Sequence, residues 1–268
     1  MRILITGGAG SIGSELARQL FKKHKLYLLD INESELFCLM EELKIPGRVG
    51  DIRDMDTVRN VFDDFKPEIV YHCAAYKHVS PMEYTPLEAI KTNILGLYNV
   101  LQQSKIYPIK KFVFISTDKA INSNSIMGAT KRVGEIMVRN SGKGYCVVRF
   151  GNVLGSRGSL IPLWERQLNQ NRPITVTDER MIRYMMTIEQ ACALVIKAGE
   201  IGKGGEIILF EMGKPVKILD LAKNMIKQLG KGEIEIIGMR PGETLDEKLM
   251  TEEEKQIVIK QGEFYIIK

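Results

Sequence analysis

Cysteine, histidine and tryptophan are scarce in this 268-residue chain, which holds four, three and one of them. Cys38, Cys73, Cys146 and Cys192 stand far apart with no C-x-x-C, and His24, His72 and His78 supply no ligand spacing, so the signature of a structural zinc site is missing. Lone cysteines in apolar strands read instead as buried filler. No apolar run is long enough to span a bilayer, and Met1 leads straight into a strand candidate rather than a signal peptide, so no membrane partner is expected and the compartment reads as a reducing cytoplasm. The net charge of +5 is spread along the chain. Without a dense basic stripe a nucleic-acid partner is not expected, whereas a phosphorylated small molecule is compatible with that charge.

What the chain does contain is a regular alternation. Strand candidates occur at Arg2–Thr6, Leu26–Asp30, Arg48–Asp51, Ile69–Ala75, Lys111–Thr117, Tyr145–Asn152 and Glu206–Phe210. Helical patterns cover Ser11–Lys23, Glu33–Leu43, Met55–Phe65, Pro86–Lys105, Ile126–Asn140, Thr187–Gly199 and Ile218–Leu229. Nearly continuous apolar strands separated by helices predict an α/β fold with a doubly wound parallel (Rossmann) sheet, covered on both faces. After Asn152 the pattern loosens around Gly155, Gly158, Pro162 and Pro173, which predicts a small C-terminal substrate-binding cap. The expected division is residues 1–150 plus about 184–212 for the Rossmann domain, and about 151–183 and 213–268 for the cap.

The first strand ends in Thr6-Gly7-Gly8-Ala9-Gly10-Ser11-Ile12-Gly13 and opens a helix, the strand–turn–helix context of a dinucleotide-binding loop. Glycine there allows a tight turn and close approach of a pyrophosphate to the helix N-terminus. Asp30 closes the second strand at the distance expected of a ribose-binding acid, and no arginine follows it in Asp30-Ile31-Asn32-Glu33; NAD is favoured and NADP is left open. Asp51-Ile52 reads equally as an adenine flank or as a strand-end turn. In His72-Cys73-Ala74-Ala75-Tyr76-Lys77-His78, the small Ala74 and Ala75 would admit the cofactor, while Lys77 and His78 read equally as pocket residues or a solvated loop. Asn93, inside the following helix, is a cofactor-side candidate with a structural alternative.

Together with Ser116-Thr117-Asp118-Lys119 and Met127-Gly128-Ala129-Thr130-Lys131, these residues resemble the extended short-chain dehydrogenase/reductases that act on nucleotide sugars. The resemblance is closest to the UDP-N-acetylglucosamine 4,6-dehydratase branch, through AAYKHVSPMEYTPLEAIKTNILG, ISTDKAINSNSIMGATKRVGE, VRFGNVLGSRGSLIPLW, PITVTDERMIRYMMTIEQA and RPGETLDEKL. It implies a UDP-sugar substrate held by Asn152, Arg157, Arg183, Arg240 and Glu243, and a homo-oligomer formed through the long helices at 86–105 and 126–140. Such enzymes normally carry tyrosine four residues before the lysine; Met127 stands there, as in active members of that branch, and Met127 cannot exchange a proton.

The reaction implied is redox-neutral: oxidation at C4, loss of water across C5–C6, and return of the hydride. Asp118 is expected to be the general acid with a pKa raised by burial, and Lys119 the neutral base, its pKa lowered by Lys131 and the nicotinamide. Lys131 would hold the nicotinamide ribose, and Thr117, relayed to Asp118 or water, would take the C4 hydroxyl proton. A product with a 5,6-double bond, a UDP-sugar 4-epimerase or 4-reductase, and a non-catalytic NAD-binding sensor are the alternatives.

Overall fold

The computed structural model describes residues 1–121 and 123–268. Nine strands form one sheet: β1 (Arg2–Thr6), β2 (Lys25–Asp30), β3 (Gly47–Val49), β4 (Ile69–His72), β5 (Lys111–Thr117), β6 (Tyr145–Phe150), β7 (Ile207–Phe210), β8 (Ile259–Gln261) and β9 (Phe264–Ile267). Their order is β8-β9-β7-β6-β5-β4-β1-β2-β3, with β1 to β7 parallel and the β8–β9 hairpin antiparallel at one edge. The doubly wound class follows from the strands themselves. Side chains alternate between faces, so Ile3 and Ile5 pack with Leu16 and Leu36 on one side, while Leu4 packs with Val58 and Phe62 on the other. Each face therefore needs its own layer of helices, and β4 and β6 are buried at every residue. The chain reverses its winding between β1 and β4, which opens a crevice at their carboxyl ends.

Several element boundaries differ from expectation. The strand expected at Tyr145–Asn152 stops at Phe150, and Asn152–Val153 pairs instead with Met185–Met186. The single helix expected at Pro86–Lys105 is three pieces: α-helix at Pro86–Ile90, π-helix at Lys91–Gly96 and α-helix at Leu97–Ile106. The wide turn carries buried Asn93, whose side-chain oxygen accepts the Tyr76 N–H at 2.8 Å while its amide donates to Tyr76 O and to Thr130 Oγ1. Single π-turns of this kind are rare and often lie next to functional sites.

The cap has its own core of Trp164, Leu168, Ile174, Val176, Ile218 and Ala222, and the indole N–H of Trp164 donates to Thr175 O at 2.9 Å. The cap is smaller than expected, because residues 259–267 leave it and join the main sheet. The physical reason is the apolar edge of β7, whose four residues are all buried; Phe264 and Ile267 of β9 cover it. Cys146 and Cys192 are buried filler as expected, while Cys38 is exposed. Among the described residues no helix is long and apolar enough to cross a membrane.

Candidate active site

A cavity of about 800 Å³ lies between the carboxyl edge of the sheet and the cap, within the range of small-molecule sites, roughly 300–1,000 Å³. One end is the turn after β1. Gly7 has φ +65°, which disfavours any side chain, and a Cβ there would overlap the backbone of Ala74. A Cβ on Gly13 would overlap the Gly7 carbonyl, so the helix Ser11–Leu20 can pack this closely only on glycine. No side chain caps that helix, which leaves its first N–H groups facing the cavity, a cradle suited to a pyrophosphate. Asp30 sits beside the cradle, accepting the Ala9 N–H at 2.9 Å and the Asn32 N–H at 2.9 Å. The residues present therefore fit a dinucleotide.

Gly7, Gly10, Ser11, Ile12, Gly13 and Ala75 line the cavity, whereas Asp30, Asp51, Ile52, Ala74 and Asn93 do not. Asp51 takes the turn role: its carboxylate accepts from Arg53 N and Nε at 2.8 and 2.6 Å. Ile52 is buried under Gly96, Ala74 packs below the turn, and Asn93 fixes the Tyr76 loop from behind. Lys77 and His78 face the cavity, the pocket alternative of the two. Lys77 donates to Ser156 Oγ at 3.2 Å, and burial together with Arg157 and Lys119 lowers its pKa. His78 is likewise lowered, by burial and by Lys77.

The centre of the cavity is the turn after β5. Thr117 Oγ1 donates to Asp118 Oδ1 at 2.9 Å, and Lys119 Nζ lies 3.1 Å from the same oxygen. Lys119 Nζ also reaches Asn152 Oδ1 at 3.2 Å and Glu247 Oε1 at 3.0 Å. On the next helix Met127 and Lys131 share the cavity-facing side, as their spacing predicts. Met127 is 2 % exposed and packs with Met82 and Ala89. Lys131 donates to Ile115 O at 2.9 Å and lies over the Phe114 ring; burial lowers its pKa to about 8.

Two expected ionisation states are reversed. Burial alone would raise the Asp118 carboxyl, but the Lys119 ammonium and the hydrogen bonds donated by Lys119 and Thr117 outweigh it and hold Asp118 below its ordinary value. Burial would lower Lys119, but the charges of Asp118 and Glu247 outweigh it and raise Lys119. The resting pair is thus aspartate and ammonium, not the acid and free base expected. The missed partner is Glu247, whose side chain is 5 % exposed. Burial and the Asp118 charge raise its pKa to about 7 against the opposing pull of Lys119 and Arg183.

The arginines do not converge on one point either. Arg183 was expected at the UDP, yet its Nε lies 3.1 Å from Glu247 Oε1. Its terminal nitrogens donate to the carbonyls of Ile182, Leu245 and Thr244. It clamps the 244–247 segment, because a buried guanidinium needs acceptors on every side. Arg157 bonds Ala9 O in the glycine turn and pairs with Glu35 at 3.0 Å. Asn152 serves Lys119. Asn152, Arg157, Arg183, Arg240 and Glu243 nevertheless all line the cavity, with the Arg240 N–H donating to Glu243 at 3.0 Å. Within RPGETLDEKL nothing local marks Glu247 above its charged neighbours, since a lone loop glutamate is normally solvated; only the fold buries it.

The model of a family described as "Polysaccharide biosynthesis protein" matches residues 3–268. The chain is 47% identical to the capsular polysaccharide biosynthesis protein CapD of Staphylococcus aureus, over 94% of this chain and 45% of that protein. It thus spans about half the length of such relatives, 45% here. A protein named UDP-N-acetylglucosamine 4,6-dehydratase (inverting) from Campylobacter jejuni is 33% identical, over 99% of this chain and 82% of that one. One named UDP-glucose 4-epimerase from Rickettsia bellii is 34% identical over the same shares, 99% and 82%. Among solved structures, Pen from Bacillus thuringiensis superposes with a TM-score of 0.93 at 38% identity, covering 99% of this chain and 86% of that one.

Proposed function

The chain belongs to the polysaccharide biosynthesis protein family, and from that membership we propose that it is an NAD-dependent dehydratase of UDP-N-acetylglucosamine in surface-glycan synthesis. The observation that carries this reading is the Thr117-Asp118-Lys119 turn, mutually hydrogen-bonded around buried Asp118 and facing the cavity beside a residue, Met127, that cannot exchange a proton. A simple 4-epimerase or reductase needs one proton-exchanging group at O4. Elimination across C5–C6 needs two further groups, and an aspartate–lysine pair provides them.

NAD, held in the glycine cradle, would supply reversible hydride transfer. The chain does the rest. The uncapped helix N-terminus holds the pyrophosphate, and Asp30 the adenosine ribose. Lys131 holds the nicotinamide ribose. Thr117 accepts the C4 hydroxyl proton as its own proton moves to Asp118. Asp118, so protonated, delivers it to the departing C6 oxygen, and Lys119 takes and later returns the C5 proton. Arg240 and Glu243 on the cap hold the nucleotide end. Self-association through the helices at 86–106 and 126–139, which expose Leu87, Ile90 and Ile136, belongs to the same proposal.

Incubation of the protein with UDP-N-acetylglucosamine and NAD should give a sugar nucleotide lighter by one water, seen by mass spectrometry. Product of unchanged mass and altered C4 configuration would replace this reading with the epimerase suggested by the Rickettsia relative's name.

A further inference from the structure

Lys119 cannot take a proton from C5 while it is an ammonium, and the charges of Asp118 and Glu247 hold it in that form. We infer that Glu247 is the residue that makes Lys119 a base: it accepts the Lys119 proton across their direct contact and holds it through the turnover. The inference rests on the dehydratase reading above.

The geometry that carries it is local. Lys119 Nζ lies 3.0 Å from Glu247 Oε1 and 3.1 Å from Asp118 Oδ1, so either carboxylate is within reach of its proton. Glu247 Oε2 and Asp118 Oδ2 are both buried and have no hydrogen-bond partner among the described residues. A buried carboxylate oxygen with no donor is costly, and protonation removes that cost. The groups facing Glu247 decide which carboxylate takes the proton: Asp118 and Lys119 from the turn after β5, and Arg183 from the short strand Ile182–Arg183. Asp118 is held ionised by its hydrogen bonds, whereas Glu247, raised to about 7, is poised to gain or lose a proton near neutrality. Moving the Lys119 proton to Glu247 replaces two buried charges by two neutral groups, but it runs against the raised pKa of Lys119 and is therefore a transient step of the turnover, not the resting state.

The protons balance. The resting cluster is Asp118 carboxylate, Lys119 ammonium and Glu247 carboxylate. The Lys119 proton passes to Glu247, leaving a neutral amine. The C4 hydroxyl proton reaches Asp118 through Thr117 as C4 loses its hydride. Neutral Lys119 removes the C5 proton; the C5–H electron pair becomes the C5–C6 double bond as the C6–O bond breaks. The departing oxygen takes the Asp118 proton and leaves as water. When the hydride returns to C6, Lys119 gives its proton back to C5, and Glu247 then restores the ammonium. Glu247 touches no reacting atom and acts through Lys119, so it is a positioning and proton-holding residue.

The test compares wild type, Glu247→Gln and Glu247→Asp. In wild type an infrared carboxyl band should titrate near pH 7 without substrate, and Glu247→Gln should lack it; its persistence in the variant would overturn the assignment. With UDP-N-acetylglucosamine, Glu247→Gln should still form reduced nicotinamide at C4 but exchange C5–H with deuterated solvent and release water at least about a hundred-fold more slowly. That corresponds to about 2.7 kcal/mol in the barrier. Wild-type dehydration should fall as pH drops below about 7, because Glu247 then already carries a proton, and Glu247→Gln should lose that limb. Glu247→Asp should recover part of the rate. Dehydration within about three-fold of wild type in Glu247→Gln with an unchanged pH profile, or equal loss of C4 oxidation and dehydration, would overturn the inference. If wild type neither reduces NAD nor loses water, the substrate reading fails instead, and the infrared titration still decides the protonation of Glu247.

Discussion

Met127 is the residue whose role the tertiary surroundings change most. The resemblance implies a proton-exchanging tyrosine at that place, yet Met127 is 2 % exposed and sits in a small apolar cluster with Met82 and Ala89. It behaves as filler that shapes the cavity wall. Leucine has nearly the same volume, so Met127→Leu should cost less than about 1.5 kcal/mol of stability and leave dehydration within about two-fold, by denaturant unfolding and turnover assays. A hundred-fold drop in turnover would mean that the thioether takes part in the chemistry. The lysine four residues on is legible from spacing alone, because i and i+4 share a helix face. Glu247 is not legible, because its burial is produced by residues far away in the chain.

At the scale of elements, the segment carrying Glu247 is anchored from both sides by buried arginines. Arg183 clamps residues 244–247. Arg149, in the interior of β6, is 0 % exposed and bonds Glu135 on the helix Ile126–Arg139, Glu254 on the helix Glu252–Ile257, and the carbonyl of Leu249. An arginine in an apolar strand looks misplaced in sequence; the structure explains it as the link between the Rossmann core and the C-terminal segment. Arg149→Leu leaves two carboxylates buried without their partner and should cost about 3–5 kcal/mol in denaturant unfolding. The network also fixes an acid limit. Burial opposes ionised Glu254, but the hydrogen bonds and charge of Arg149 outweigh it, with help from the Thr251 N–H and Arg132, and lower its pKa. A lowered carboxyl pKa gives stability that is complete above the unfolded value of about 4.3 and is lost as pH falls through the folded value. Unfolding free energy should therefore drop below about pH 4 in wild type, and Glu254→Gln should flatten that slope.

For the molecule as a whole, the chain closes on itself: its last strands complete the sheet that its first strand began. β9 pairs with β7 from Ile207–Ile267 to Phe210–Phe264. Ending the chain after Ile257 would expose β7 as an apolar edge and remove the buried side chains Phe264 and Ile267, worth about 1.5–3 kcal/mol each. That truncation should lower the melting temperature and raise aggregation, measured by calorimetry and light scattering. A melting curve and scattering unchanged from wild type would show that the hairpin is dispensable. The assignment of residues 213–268 to the cap misses this closure, since β8 and β9 are short and their pairing is set by a strand some fifty residues earlier.

Local rules determine much of this protein from sequence alone. Strand–helix alternation gives the doubly wound sheet, the glycine spacing after β1 gives the dinucleotide cradle, and the Thr117-Asp118-Lys119 turn and Lys131 mark the centre of the site. Each depends on residues adjacent in the chain or one helical turn apart. The tertiary structure alone decides the charges and the partners. The charges of Asp118 beside it and of Glu247, 128 positions later in the chain, together hold Lys119 as an ammonium. Arg183 clamps the 244–247 segment because three carbonyls and Glu247 surround it. Ionisation follows burial and through-space charge, and neither is written in the order of the residues.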